Sequence, residues 1–501
     1  MPAETTRDEI GAASATAAPT IAPERRVLIF IAALASAFIT QIESTIVATA
    51  MPTIVGEIGG FELLSWVFTV YLLTQAVTTP IYGRLADLYG RKPILLFGIA
   101  LFLLGSLLCG LAWDMTSLIV FRAIQGLGAG AISPVSRTLV GDVYHGAERA
   151  RMQGWVSGVF ISAAVLGPAV GAFLVAHTIW QAVFWINIPL GVIAAAILIW
   201  ALKENIERRR ARVDIGGTLL LSLGSFLLLY ALAQSAVLPT RWFVLLLALA
   251  VIVLVGFGFY ERSVAEPIWP MSLWRDRMST SGNLVSLALG VTMMGIAAYL
   301  PVYIQGVMGE SAMTAGFIIM SMSATSPFGA VLAGQIMLRS SYRVSASLGG
   351  LFFIAGCGML TLLDAQSGPV WVMVSGLLVG FGLGLNNNTY MVAIQAECGW
   401  GNRGIATGVF IFSRILGQAI GAAAFGGILN AGLSRYLSGG GDILTRILTP
   451  EQRATLPPET LAPLMQAFSH SLHIVFIILV GLAVATLLIG GILPKGRSIR
   501  R

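Results

Sequence analysis

Charge is scarce in this chain. Asp, Glu, Lys and Arg make up 11% of its 501 residues, where soluble domains carry roughly 25%. So few charges cannot clothe a water-exposed surface, which excludes a single aqueous globule. Cysteine is scarcer still: Cys109, Cys357 and Cys398 are widely separated and show no C-x-x-C or Cys/His spacing. That excludes a disulfide framework and argues against a zinc site. Of four histidines, His470 and His473 lie three apart where the last apolar run begins, and read as an interfacial pair at a helix end. No P-loop or Rossmann glycine pattern follows a plausible strand. No nucleophile–base set and no metal cluster appears, so neither enzyme chemistry nor a cofactor is expected.

What is present is apolar. Hydrophobic residues make up 56% of the chain, and the mean hydropathy is +0.85. The apolar runs recur at near-regular spacing: 27–50, 63–83, 94–112, 117–139, 153–175, 181–202, 215–234, 242–260, 281–304, 313–335, 344–363, 370–394, 404–429 and 472–492. Each is close to the length of about 20 residues that a helix needs to cross a bilayer. The expectation is an all-α integral membrane protein of about fourteen helices, with the lipid bilayer as its solvent.

An even number of spans returns both termini to one side. With the N-terminus in the cytoplasm, inner loops receive Arg25, Arg26, Arg84, Arg91, Lys92, Arg149, Arg151, the block 203–212, Arg262, Arg275, Arg277, Arg339, Arg343, Arg403 and the basic end 495–501. Outer loops keep Arg241, Arg435, Arg446 and Arg453. This bias predicts cytoplasmic termini. It also accounts for a net charge of +7 without the nucleic-acid partner such a charge suggests on a soluble protein.

Residues 1–26 lack apolar periodicity and read as a disordered cytoplasmic tail. The run 27–50 is too long for a signal-peptide core and is expected to stay as the first span. The charged segment 203–214 is a natural seam. It leads from an N-terminal six-helix bundle, 27–202, into 203–280 with two inserted helices, then a C-terminal bundle, 281–492, and a basic tail, 493–501. The stretch 430–470, with Pro450, Pro457 and Pro458, is the long outer loop and is expected to hold short helices. A faint repeat supports the halving: Gly83–Lys92 after the second run aligns with Gly334–Arg343 after the tenth. Many secondary transporters are built from repeated halves.

The chemistry concentrates on one acid. Glu43, in Ile42-Glu43-Ser44-Thr45, lies within the first apolar run. An ionised side chain in hydrocarbon costs about 2.5 to 3.5 kcal/mol or more, so this one needs a protein interior or a wet cavity, and a partner. Arg122 in the fourth run is that partner by depth, since both lie roughly 8 to 10 Å below the outer ends of their helices at 1.5 Å per residue. Two readings compete. One is a static bridge that fixes packing; the other is a titratable acid that exchanges Arg122 for a proton. Gln41 and Gln75 are expected as polar neighbours.

Other residues carry weaker signals. In the ordered pattern Gly83-x-x-x-Asp87-x-x-Gly90-Arg91-Lys92, the glycines permit a tight reversal. Asp87 and Arg91, joined by Asp142, would brace helix ends as a conformational latch. Gly158, Gly167, Pro168 and Gly171 in the fifth run suit close helix approach and a bend. Arg414, near mid-depth in the thirteenth run, has no obvious acidic mate in the second half. An anionic group, a carbonyl cluster, a gate and plain packing all remain open for it. Asn387, within Asn386-Asn387-Asn388, is expected to line the same cavity, with Tyr71, Met294 and Tyr299 in an apolar wall.

In this order these stretches resemble the major facilitator superfamily, in particular its fourteen-helix drug:proton antiporter branch. The resemblance rests on Gly83–Lys92, on Arg122, Gln125, Gly126, Gly128 and Gly130, on Gly158, Gly167, Pro168 and Gly171, and on the stretches Trp180–Gly191 and Tyr299–Gln305. It covers nearly all of 27–492. One departure is Glu43, where the family usually has Asp. The resemblance implies a monomeric alternating-access exporter of hydrophobic, cationic drugs or toxic compounds in a bacterial cytoplasmic membrane. Glu43 and Arg122 would couple export to the proton gradient, with no cofactor. Two other readings stay open: a dedicated exporter of a metabolite, lipid or siderophore, and a non-transporting membrane sensor on the same fold.

Overall fold

The structure, a computed structural model, describes residues 23–144, 146–202, 214–235, 237–264, 276–364, 367–397, 403–434 and 457–493. Among these residues every regular element is helical, as hydrocarbon requires of a backbone that must satisfy each N–H and C=O within its own segment. The first half holds α1 (Pro23–Ile58), α2 (Leu64–Tyr89), α3 (Arg91–Cys109), α4 (Met115–Val143), α5 (Gly146–His177), α6 (Ala182–Trp185) and α7 (Asn187–Ala201). Next come α8 (Ile215–Ala233) and α9 (Thr240–Tyr260). The second half holds α10 (Arg277–Gly306), α11 (Ala312–Arg339), α12 (Tyr342–Thr361), α13 (Pro369–Glu397), α14 (Arg403–Gly432) and α15 (Pro458–Ile492). Thirteen of the described stretches are long and apolar enough to cross a membrane, with α6 and α7 together forming one, and Ser162–His177 in α5 is a shorter apolar piece.

Contacts sort these helices into two bundles. In the first, α1 packs on α5, α7 and α4, α2 packs on α4, and α3 packs on α4 and α7. In the second, α10 packs on α14 and α15, α11 on α13, and α12 on α13 and α15. The α8–α9 hairpin lies outside both, with α8 against α2 and α14. Its outer helix exposes Val244, Leu249, Ile252 and Phe259. Glycines set the closest approaches. A Cβ on Gly105 would strike the Gln125 backbone, one on Gly417 the Leu287 carbonyl, and one on Gly384 the Ser326 carbonyl. Small residues matter here because lipid is as apolar as a leucine, so packing and not burial drives association.

Both described chain ends fall at one face of the molecule, the termini face; the opposite one is the far face. Side chains cap helix starts at both. Asp114 accepts from the Ser117 N–H at 2.7 Å at the far face. Asp276 accepts from the Ser279 N–H at 2.8 Å at the termini face. The backbone N–H and hydroxyl of Ser117 hold the exposed Asp114 carboxyl below its usual range.

The bundles are joined at the far face. Asn430 Nδ2 donates to the Glu62 carbonyl at 2.7 Å, and the rings of Phe61 and Phe468 meet edge to face at 5.4 Å. Gly316 abuts Pro168 and Ala172, and Gly426 abuts Ser65. Nearer the termini face, a Cβ on Gly83, Gly158, Gly334 or Gly408 would meet nothing within 4 Å. The same holds at the far face for Gly59, Gly358 and Gly368.

Several boundaries differ from expectation, mostly because helices run past the apolar stretch into the interface. α1 starts at Pro23, inside the segment read as a disordered tail, whose residues 1–22 lie outside the described residues. α15 starts at Pro458, so 458–470 is helix and not loop, while 435–456 lies outside the described residues. His470 and His473 are therefore well inside a helix, and His473 Nδ1 bonds the Ser469 carbonyl at 2.7 Å. α2 continues to Tyr89, which makes Gly83 a mid-helix residue with no part in a reversal. The turn rests on Gly90, at φ 98° and ψ 157°. The charged seam at 203–213 and the basic tail at 494–501 are outside the described residues.

Gly90 occupies backbone space that is essentially closed to side chains. Gly90→Ala is expected to destabilise the protein by about 1 to 3 kcal/mol. Gly158→Ala, helical and facing open space, should be neutral or stabilising by up to about 1 kcal/mol. Thermal unfolding of the detergent-purified variants, followed by tryptophan fluorescence, reads both.

Candidate functional site

Four helices of the first bundle and the break between α6 and α7 converge on Glu43. Its Oε1 accepts from Arg122 Nη1 at 2.5 Å. Its Oε2 accepts from Asn187 Nδ2 at 2.5 Å. Asn187 follows the break at Ile186, and its Nδ2 also donates to the Phe184 carbonyl at 3.3 Å. One amide group therefore ties the acid to the interruption in the sixth span. Arg122 Nη1 reaches Gln125 Oε1 at 2.5 Å, its Nε donates to the Val67 carbonyl at 3.4 Å, and its guanidinium lies 4.0 Å from the Tyr71 ring centroid. Gln125 Nε2 extends the chain to Ser106 Oγ at 2.8 Å, and Cys109 Sγ donates to Gln125 Oε1 at 3.9 Å. Glu43 is 0% exposed and Arg122 1%, so the network is sealed.

This geometry decides what the acid can do. Both carboxylate oxygens accept from donors, and a guanidinium has no acceptor to offer. Each oxygen keeps a further lone pair for a proton, and a proton there removes the charge that holds Arg122. The pair itself is poor evidence for stability, because desolvation offsets much of the attraction. Its disruption is another matter, since a lone buried charge is left behind.

The seam beside the acid is built by α5. Thr45 Oγ1 donates to the Ala163 carbonyl at 3.4 Å, and Thr49 Oγ1 to the Pro168 carbonyl at 3.2 Å. Gly167 lies on Thr45, and Gly171 on Ile46 and Thr49. Gly158 does not belong to this contact, because it faces open space.

The remaining expected residues divide. Gln41 sits two residues before Glu43 and hence about 200° around the helix. It is not a bonded neighbour of the acid, and neither is Gln75, whose carbonyl accepts from Thr79 Oγ1 at 2.7 Å. Asn187 and Gln125 hold those places. Tyr71 is buried as the platform under Arg122 and is not a cavity wall in this state. Tyr299 is also interior: its hydroxyl donates to the Ala422 carbonyl at 2.6 Å, and Met294 is buried against α14 beside Gly421. Asn387 does meet Arg414, with Nη1 to Oδ1 at 3.5 Å. Asn386 bonds the Gly382 carbonyl, and Asn388 the Ala330 carbonyl.

Arg91 Nε pairs with Asp142 Oδ2 at 3.0 Å, which joins α3 to α4. Both belong to the first bundle, so this bridge does not fasten one bundle to the other. Lys92 Nζ reaches the Ile199 and Leu202 carbonyls at 2.8 and 2.6 Å, placing a cation at the C-terminal end of α7 as the helix dipole favours. The Asp87 side chain lies outside the described residues. Sequence reasoning missed Asn187, although a polar residue after Phe184-Trp185-Ile186 and two before Pro189 marks a break in an apolar run. It also passed over Arg137 in α4.

Removing one member of the pair should cost more than removing both. Arg122→Met is expected to destabilise by about 3 to 5 kcal/mol through the orphaned carboxylate. Glu43→Gln combined with Arg122→Met should recover a large part of that loss. Chemical unfolding in detergent, arranged as a double-mutant cycle, measures the coupling, and a double variant no more stable than the single would contradict it.

The sequence profile of the Major Facilitator Superfamily matches residues 33–422. Multidrug resistance protein 3 of Bacillus subtilis (strain 168) is 32% identical over 457 residues, covering 88% of this chain and 89% of that protein. Multidrug transporter protein MdtP of the same organism is 32% identical over 429 residues, covering 85% and 78%. Among solved structures, a bacterial homologue of the human lysosomal transporter Spinster, inward-facing and unoccupied, aligns with a TM-score of 0.67 at 14% identity, covering 94% of this chain and 97% of that one. That likeness concerns the fold alone. A profile match over most of the chain, two relatives aligned along most of their lengths and a shared two-bundle fold agree: this chain belongs to the Major Facilitator Superfamily.

Proposed function

We propose that the protein exports hydrophobic drugs or toxic compounds in exchange for protons, by rocking its two bundles about a central passage. The observation that carries this reading is the sealed acid with a donor on each oxygen. The printed names of its relatives, a multidrug resistance protein and a multidrug transporter, support export. The basic loops support placing the termini face in the cytoplasm; the reading adds a bacterial inner membrane and a monomer as its working form. On that orientation the far face, where the bundles meet, is the outside.

In this scheme Glu43 takes a proton from the outside and releases Arg122 or Asn187. Asn187 then loses its grip on the α6–α7 break, and Arg122 shifts on its Tyr71 platform. Both changes act on helices that line the first bundle. Return to the inward-open state lets the proton leave, and the donors close again on the carboxylate. The coupling needs no group beyond the proton itself.

Two measurements test this. In proteoliposomes with an imposed pH gradient, Glu43→Gln should cut gradient-driven dye transport at least about tenfold while gradient-free counterflow persists; undiminished gradient-driven transport removes Glu43 from the role. Asn187→Leu deletes a donor that favours the charged acid. The pH profile of gradient-driven transport should then differ from that of the wild type, and an identical profile removes Asn187 from the coupling. Arg122 is the charged group facing the acid, with the titratable Tyr71 and Cys109 beside it, and none of these changes in that variant.

A further inference from the structure

A short turn of the first bundle builds the far-face joint. Between α1 and α2 the chain runs Gly59-Gly60-Phe61-Glu62-Leu63. Both glycines sit at positive φ, 74° and 73°, where other residues are rare. A Cβ on Gly60 would also press on Met115 at the start of α4. The bent pair tucks Phe61 inward at 1% exposure, against Phe468 at 0%, although the turn lies at the end of two helices. Glu62 offers its backbone carbonyl to Asn430 Nδ2 at 2.7 Å, while its side chain is exposed. Asn430 and Phe468 both come from the stretch 430–470, expected as the outer loop, and both belong to the second bundle. Just inside the turn, Ser65 is 1% exposed and lies against Gly426. Its hydroxyl has no hydrogen-bond partner among the described residues.

We infer that this turn is the clasp of the outer gate: Asn430 and Phe468 hold it while the far face is closed and let go when that face opens. The inference rests on the export reading and names the contacts that its outward-opening step breaks. Opening the far face separates α2 from α14, which pack on each other across the bundles. The Asn430–Glu62 bond and the Phe61–Phe468 contact cannot survive that movement. A clasp must yield as well as hold, and these contacts suit both demands. One neutral hydrogen bond and one ring pair each contribute little. The orphaned Ser65 hydroxyl is a cost of the closed joint, which water relieves once the helices part. Because the acceptor is a backbone carbonyl, the bond depends on Asn430 and on the path of the turn, with the Glu62 side chain uninvolved. α2 also ties the clasp to the acid. Its first turns carry Ser65, the Val67 carbonyl that accepts from Arg122 Nε and the Tyr71 ring beside that guanidinium. A shift of Arg122 therefore acts on the helix end that the clasp holds.

Ser65→Cys in the full-length protein turns the joint into a reporter, and the unpaired hydroxyl is replaced without breaking a bond. Cys398→Ser is added, while Cys109 and Cys357 are buried and serve as internal controls. A membrane-impermeant maleimide is given to intact cells, where it reaches only the outer face, and the labelling rate is read on the purified protein. Asn430→Leu should raise that rate about threefold to tenfold, the population shift equivalent to one neutral hydrogen bond. Phe61→Leu should raise it too. In inverted membrane vesicles, where the reagent meets the termini face, neither variant should label faster. An outer rate unchanged in both variants overturns the inference. So does an equal rise from both sides, or labelling of Cys109 or Cys357, since each marks a loosened fold and not a released clasp. Glu43→Gln separates the clasp from the reading beneath it. With the coupling intact, this variant raises the outer rate about as far as Asn430→Leu does. If Asn430→Leu opens the far face and Glu43→Gln does not, the clasp stands and the proton coupling falls.

Discussion

A carboxylate with a hydrogen-bond donor on each oxygen, out of reach of water, is the constraint around which the first bundle is arranged. Arg122 holds one side and Asn187 the other. Those two come from α4 and from the start of α7, so the acid on α1 joins three helices at one point. Gln125, Ser106 and Tyr71 then fix the arginine from α4, α3 and α2.

The same constraint explains the glycines. Ser106 on α3 can meet Gln125 on α4 only if those helices lie close together, and Gly105 against the Gln125 backbone and Gly128 against Phe102 permit that approach. On the other flank, Gly167 and Gly171 bring α5 against Thr45 and Thr49, within two turns of the acid. The second bundle has its own close pairs, at Gly290 and Gly417 between α10 and α14. It has no sealed acid among its described residues. Its buried polar groups are mostly amides and hydroxyls bonded to backbone carbonyls, and Arg414 stands out as a cation with a neutral neighbour. The two halves are thus alike in architecture and unlike in electrostatics.

The α8–α9 hairpin belongs to neither half. It lies against α2 and α14, two of the helices that bring the bundles together, with Trp66 and Tyr230 in ring contact 5.9 Å apart and Gly427 beside Leu232 and Ser235. Its position covers the seam on one side of the molecule, where lipid would otherwise reach the join.

The sequence by itself determined the helical class, the number and order of spans and the depth match between Glu43 and Arg122. Run length, hydropathy and rise per residue are local properties that survive without tertiary information. The motif glycines were visible for the same reason, yet their roles were not. Gly158 and Gly167 share a pattern, but only Gly167 meets a neighbouring helix, and Gly83 turned out to be helical where Gly90 bends the chain. Gln41 and Asn187 show the limit most clearly: nearness in sequence favoured the glutamine, and only the folding of α7 against α1 brought an amide from 144 positions away onto the carboxylate. Rotation about a helix axis and the choice of neighbour are set by packing, and packing exists only once the whole chain is assembled.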